Sequence, residues 1–366
     1  MTKINNNPRT GNDPLSERSA IGASPAESPR PAPQSQWRRW HLPVLLLFAL
    51  GTFLILRRHH APVPFQKEEG AVFGTFYHLT YQADRSLKDS IEAQLQRVDA
   101  SLSMFNPQST VSRINQNEDV PTDTLFRRVF RLSQQVSQAT DGAFDITVAP
   151  LVNAWGFGFK NDALPDSAQV DSLLALVGWR RVELMPDGHV RKADPRMVLD
   201  CSAVAKGFGV DVVADYLRRH AISNFMVEIG GEVVVSGTNP KGEKWRVGVN
   251  RPDPDSTGTS HQLHTVLPLT DRAMATSGNY RNFYVAGGRR VAHTISPHTG
   301  YPVQHSLLSA TVLAPTCAEA DAFATAFMVM GMERAKPLLA RHPELQVLFI
   351  YADDSGQLQT FSTIEE

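Results

Sequence analysis

The chain has 366 residues, 42% hydrophobic and 20% charged, which is the composition of a globular protein long enough for a large core or two lobes. A formal net charge of −1 suggests neither a nucleic-acid binder nor a partner captured by bulk charge. Two cysteines, Cys201 and Cys317, exclude a disulfide framework and a four-cysteine zinc site.

Residues 1–36 are rich in Pro, Ser, Asn and Arg and too poor in apolar side chains to offset the entropy of ordering, so they are predicted to be disordered. Residues 37–60 read WRRWHLPVLLLFALGTFLILRRHH. The uncharged run 42–56 is bracketed by Arg38, Arg39, Arg57 and Arg58. It is shorter than the roughly 20 residues of a usual spanning helix, but Trp37, Trp40 and the arginines can extend it into the headgroups. The long polar tail and the lack of an A-x-A site argue against a cleaved signal peptide, and no Cys follows to make a lipoprotein. The double-Arg flanks argue against a buried core helix. A single-pass signal anchor is therefore expected, with its orientation left undecided by charge.

A Pro-containing linker, residues 61–70, leads to a globular domain over 71–366. AVFGTFYHLTYQA reads as a strand, and SLKDSIEAQLQRVDASLSMF as an amphipathic helix with Leu87, Ile91, Leu95 and Val98 on one stripe. NPQSTVSRIN is a loop that opens a short helix, and DTLFRRVFRLSQQVSQATDG is a helix ending near Gly142. After AFDITVAPLVNAWGFG and a polar linker comes a short helix, VDSLLALVGW, then a hairpin turning at Asp187-Gly188. SAVAKGFGVDVVADYLRRH is a helix, and five strand-like stretches follow. A helix beginning at Cys317 and the strand LQVLFIYA close the series. Hairpin-connected strands with interspersed helices predict an α+β fold with mixed or antiparallel sheets.

Three stretches can carry chemistry. CAEADAFATAFMVMG is an apolar helix with a carboxylate, Asp321, inside it. Thr316 and Glu319 fit a capping box, and Gly331 is a stop. Thr325 lies four residues beyond Asp321 on the same face, and together they offer two hard oxygen ligands of the kind Mg²⁺ or Ca²⁺ takes. The other reading is that Asp321 complements the helix N-terminus and Thr325 only packs. DCSAVAKGFGVD places Lys206 between small residues, which suits an anionic ligand or a snorkelling lysine equally. Val212 stands where a dinucleotide fingerprint needs a third Gly, so a Rossmann site is rejected. HTISPHTGYP places His293 after a strand, either as a general base or as an exposed turn residue. ATSGNY reads as a small-residue turn able to bind phosphate, and EIGGEV as a strand with a β-bulge.

The order and spacing of these blocks resemble the ApbE-type FAD:protein FMN transferases. The matching pieces are GTFYHLTY, SMFNPQSTVSRIN, TDGAFDITVAPLVNAWGFG, DCSAVAKGFGVD, EIGGEVVVSG, ATSGNYRNFY, HTISPHTGYPV and TCAEADAFATAFMVMG, spread over about residues 72–350. The resemblance implies transfer of the FMN moiety of FAD to a Thr or Ser hydroxyl of an acceptor flavoprotein, with release of AMP. It implies one Mg²⁺ held by Asp321, Thr325 and the carbonyl of Ala203. FAD contacts are implied for Met104, Lys206, Glu232 and the Thr276-Ser277-Gly278 turn, and His293 is implied as the residue that assists the attacking hydroxyl. Many relatives carry Asp where this chain has Ser296, so His293 must be oriented by other means. The implied acceptors are flavin-carrying subunits of membrane redox complexes, and the implied place is the inner membrane with the enzyme in the periplasm. A Mg²⁺-dependent FAD pyrophosphatase and a non-catalytic flavin carrier remain as rivals. Cys201 and Cys317, which flank the site in sequence, are left open between a disulfide and two free thiols.

Overall fold

In a computed structural model, the structure describes residues 41–59, 63–158, 164–252, 262–279, 283–286 and 289–365. The chain divides into two units, Met1–Pro62 and Val63–Glu366. In the first, the apolar run forms a helix, α1 (His41–His59), with Leu42, Leu47 and Phe48 exposed. Among the described residues no helix is long and apolar enough to cross a membrane. The uncharged run 42–56 alone measures about 22 Å as helix, against a hydrocarbon core of roughly 30 Å. The predicted disordered tail and the Trp37–Trp40 flank lie outside the described residues.

In the second unit the elements follow in the order β1 (Phe65–Val72), β2 (Thr75–Gln82), α2 (Lys88–Leu102), α3 (Thr110–Asn115), α4 (Thr124–Ala139), α5 (Ala149–Ala154), α6 (Ser167–Leu174), β3 (Val182–Leu184), β4 (Val190–Lys192), α7 (Ser202–Arg219), β5 (Phe225–Ile229), β6 (Glu232–Ser236), β7 (Trp245–Asn250), β8 (Leu263–Leu269), β9 (Arg272–Gly278), β10 (Phe283–Ala286), β11 (Arg289–Ala292), β12 (Leu307–Ala314), α8 (Cys317–Met330), α9 (Met332–Leu339), β13 (Gln346–Ala352) and β14 (Leu358–Ser362). Eight strands make one sheet, ordered β1-β2-β5-β6-β9-β12-β13-β14, and every neighbouring pair is antiparallel. Three two-stranded ribbons, β3-β4, β7-β8 and β10-β11, stand apart from it. The expected α+β class is met, and the sheet is antiparallel.

The apolar runs in the central strands have a physical cause. One sheet face packs on α7 and α8, through residues such as Val204, Phe208, Ala318, Ala322 and Phe327. The β7-β8 ribbon covers the other face, with Trp245, Val247, Val249, Leu267 and Leu269 against Val233, Val235, Met274, Leu313 and Ile350. Strands buried on both faces need no polar alternation, hence VVV in β6 and VLFI in β13. Farther out, β2 and β5 bury only one face, against α2 and α7, and β5 alternates accordingly.

Several boundaries differ from expectation. The stretch AVFGTFYHLTYQA is a hairpin folded at Phe73-Gly74, both with positive φ. The linker continues into β1 from Phe65, whose polar residues read as loop because this strand is at the sheet edge. Gly230-Gly231 is the two-residue turn between β5 and β6, with φ of 62° and 104°, and not a bulge. Thr276-Ser277-Gly278 is the end of β9, laddered to β12, and not a turn. The helix α9 and the strand β14 carry no counterpart in the sequence reading.

Candidate active site

The first turn of α8 explains how this helix is set. Asp211 of α7 accepts from the N–H groups of Cys317 and Ala318, both at 2.8 Å. The Thr316 hydroxyl accepts from Glu319 N–H at 3.3 Å, and Glu319 Oε2 accepts from Thr316 N–H at 3.2 Å, completing the expected capping box. All four orphan donors of the helix start therefore have partners. Burial pushes Asp211 up to about 7, against the pull of the two N–H bonds. Replacing Asp211 by Ala leaves two buried donors unpaired. It is expected to cost about 2–4 kcal/mol, read as a lowered Tm in thermal unfolding.

With its start fixed, α8 packs along α7 and brings Asp321 onto the Lys206-Gly207 segment. Gly207 N–H donates to Asp321 Oδ2 at 3.0 Å. A side chain at Gly207 would collide with the backbone: a Cβ there would lie 2.3 Å from the Cys317 carbonyl oxygen. The glycine is thus the reason the helices can touch. Gly209 makes room instead for the Phe73 ring, 2.6 Å from its notional Cβ. The Lys206 ammonium lies 2.5 Å from Glu232 Oε1, and Glu232 follows directly on the Gly230-Gly231 turn. That turn is itself held from outside: Glu228 accepts from Gly231 N–H at 2.6 Å and bonds His78 at 2.6 Å with its other oxygen.

Two buried carboxylates share one ammonium in this group. Burial and the Asp321 charge push Glu232 up to about 8, while Lys206 opposes them. Burial also raises Asp321, against the Lys206 charge and the Gly207 N–H. Burial lowers Lys206, but the Asp321 and Glu232 charges more than compensate and its pKa rises. The charge at Asp321 is thus partly offset by a basic side chain. With both acids ionised one negative charge exceeds what Lys206 offsets, and Glu232 Oε2 is buried without a hydrogen-bond partner. Elsewhere buried carboxylates are satisfied by the chain itself: Asp145 accepts from Thr147 N–H and hydroxyl and from Trp179 N–H, at 2.6–2.8 Å.

These residues suit a hard divalent cation. Among the described residues no cluster of three or more His, Cys, Asp or Glu could hold a metal, so hydroxyl and carbonyl donors are required here. Thr325 is one turn from Asp321 on α8, with its hydroxyl 3.2 Å from Ser277 Oγ of β9. The Ala203 carbonyl is the helical acceptor position for Gly207 N–H, and the second lone pair of a carbonyl oxygen leaves it capacity for a cation. Neighbouring Thr276 bonds Thr311 across the sheet, hydroxyl to hydroxyl at 2.9 Å.

Met104, in the loop after α2, is partly buried against the cluster that contains α7 and α8, and its carbonyl accepts from Ser112 at 3.4 Å. His293 follows β11 as expected, half-buried, with its ring 6.2 Å from that of Phe157. Cys201 and Cys317 are buried and free. Sequence reading missed Asp211, Asn279, Thr294 and the His78–Glu228 pair. Only Asp211 left a signal, an acid in an otherwise apolar helix face, the same oddity that drew attention to Asp321. A separate crevice of about 360 Å³ lies along α7 beyond Asp211; its four arginines face four carboxylates, and Arg128 and Arg218 already pair with Asp215.

The ApbE family profile matches residues 73–349, which spans both carboxylates, the lysine, the β9 end and His293. The chain belongs to the ApbE family. The FAD:protein FMN transferase of Vibrio cholerae serotype O1 is 36% identical over 324 residues, covering 85% of this chain and 94% of its own. That of Haemophilus influenzae is 37% identical over 303 residues, covering 78% and 86%. Among solved structures, the flavin transferase ApbE from Vibrio cholerae superposes with a TM-score of 0.73 at 33% identity, over 82% of this chain and 97% of that one. The apo flavinyl transferase ApbE of Pseudomonas stutzeri gives 0.74 at 30% identity, over 83% and 96%. The antiparallel sheet with α7 and α8 on one face is thus the ApbE fold.

Proposed function

We propose that this chain transfers the FMN moiety of FAD to a Thr or Ser hydroxyl of an acceptor flavoprotein, releasing AMP in a Mg²⁺-dependent reaction. The observation that carries this reading is the meeting of Asp321, one turn from Thr325, with the Lys206-Gly207 segment, where two acids share one ammonium in a family of FAD:protein FMN transferases. Asp321, Thr325 and the Ala203 carbonyl would hold Mg²⁺, which supplies charge neutralisation for a diphosphate. Lys206 offers its ammonium to the same phosphates. Glu232, Met104 and the Thr276-Ser277-Gly278 strand end bind the rest of FAD. The acceptor oxygen bonds to the FMN-side phosphorus, the bond from that phosphorus to the bridging oxygen breaks, and AMP leaves with that oxygen. An imidazole nitrogen of His293 takes the hydroxyl proton.

The acceptors are flavin-carrying subunits of membrane redox complexes, and the catalytic domain works in the periplasm at the inner membrane. The α1 helix supports attachment there, because Leu42, Leu46 and Leu50 are exposed and offer the bilayer an apolar surface. Membrane fractionation and protease access to the domain in spheroplasts test this; a domain found in the cytosol and protected from protease refutes it.

Incubating the full chain with FAD, Mg²⁺ and an acceptor domain should yield covalent flavin on an acceptor Thr or Ser by mass spectrometry, and a chelator should abolish it. Free FMN and AMP formed without acceptor would instead indicate a pyrophosphatase. Intact bound FAD would indicate a carrier.

A further inference from the structure

The residue after the candidate base holds a bond that no part of the proposed reaction uses. Thr294 donates its hydroxyl proton to Asn279 Oδ1 at 2.5 Å, and both residues are buried, at 9% and 7% exposure. Asn279 directly follows Gly278, and two residues before it Ser277 bonds Thr325 of α8. Thr294 directly follows His293, and its carbonyl accepts from Val303 N–H at 3.0 Å, which fixes the backbone there. A continuous path therefore runs from Thr325 through Ser277, Asn279 and Thr294 to His293. Ser296 is engaged within its own turn. Its hydroxyl accepts from Thr299 N–H at 3.3 Å and its backbone closes the turn with Gly300 and Tyr301.

We propose that the Thr294–Asn279 hydrogen bond is the positioning device for His293, setting the imidazole in register with the Asp321–Thr325 face of α8. The inference rests on the reading of His293 as the proton acceptor. A buried hydroxyl-amide bond suits this role, because it is short and carries no charge, and breaking it takes a donor away from a buried amide oxygen. It holds the backbone next to His293 against the end of the strand that carries the FAD-binding residues. Sub-ångström displacement of a base costs rate while leaving substrate affinity intact, which separates positioning from binding.

The test uses the full chain with FAD, Mg²⁺ and acceptor. Thr294→Val should lower kcat for FMN transfer by about tenfold to a hundredfold, with KM for FAD changed by less than about twofold. Thr294→Ser, which keeps the hydroxyl, should recover most of the rate. Asn279→Ala attacks the same bond from the other side and should reproduce the kcat loss, which keeps the test open if one variant folds poorly. In a His293→Ala background Thr294→Val should add less than about a twofold loss, because a missing base needs no positioning. Wild-type kcat in Thr294→Val, or a loss of undiminished size in the His293→Ala background, overturns the inference and leaves the base reading standing. Wild-type kcat in His293→Ala itself overturns the base reading, and this inference with it.

Discussion

Asp321→Asn is expected to lower FMN transfer by about a thousandfold or more and to remove the stabilisation by Mg²⁺, without destabilising the metal-free protein. The substitution is nearly isosteric, and the amide oxygen can still accept from Gly207 N–H. What it removes is one of two buried negative charges that share Lys206. In the metal-free protein that charge is an electrostatic burden, so its loss leaves the folded state as stable as before or more so. With Mg²⁺ at a hundred times its dissociation constant, the wild-type protein should gain about 2.7 kcal/mol and a matching rise in Tm. The variant should gain nothing. Thermal unfolding with and without Mg²⁺, alongside the transfer assay, separates the two effects. An equal Mg²⁺-dependent rise in Tm for the variant would move the metal away from Asp321. A variant that loses the rise but keeps its activity would separate the metal from the chemistry.

How much of this was legible in the sequence depends on how local each cause is. The start and stop of α8 were, because Thr316, Glu319 and Gly331 act within one turn of the helix end they define. The sheet's central strands were, because burial on both faces writes itself as an apolar run. The β1-β2 hairpin was not: its turn places Phe73, a residue with a Cβ, at positive φ, and the ring is held against Gly209 of a helix far along the chain. The edge strand β1 was lost among charged residues for the same reason that it stays soluble. At the site, the oddity of Asp321 and of the glycines beside Lys206 could be seen, but not that one explains the other. Residues 207 and 321 meet across two helices, where Asp211 of one pins the start of the other. The approach of Lys206 to Glu232 and the link from Asn279 to Thr294 are likewise products of sheet order. Family resemblance named the lysine and the glutamate; it said nothing of the asparagine.

Gly207→Ala tests whether the contact between α7 and α8 sets the site. On helix propensity alone the change should stabilise α7 by about 1 kcal/mol. The packing opposes it more strongly: the new methyl would sit 2.3 Å from the Cys317 carbonyl oxygen, 2.7 Å from its carbon and 2.8 Å from Asp321 Cβ. Two of these atoms are backbone, so no side-chain rotation relieves the clash, and the helices must part by roughly 1 Å. Overpacking of this kind costs about 1–3 kcal/mol, so a net loss of up to about 2 kcal/mol is expected. The larger effect is on function. Parting the helices moves Asp321 and Thr325 away from the Ala203 carbonyl and Lys206, and transfer should fall by about a hundredfold, with weaker retention of Mg²⁺. Gly209→Ala is the control, since its methyl would meet the Phe73 ring at 2.6 Å, a side chain that can shift. That variant should keep transfer within about tenfold of wild type, because the ring and not the α8 backbone absorbs the change. Equal activity losses in the two variants would mean that the close approach at Gly207 contributes only to packing. A Gly207→Ala protein with wild-type transfer and unchanged Mg²⁺ response would place the metal outside the α7–α8 contact altogether.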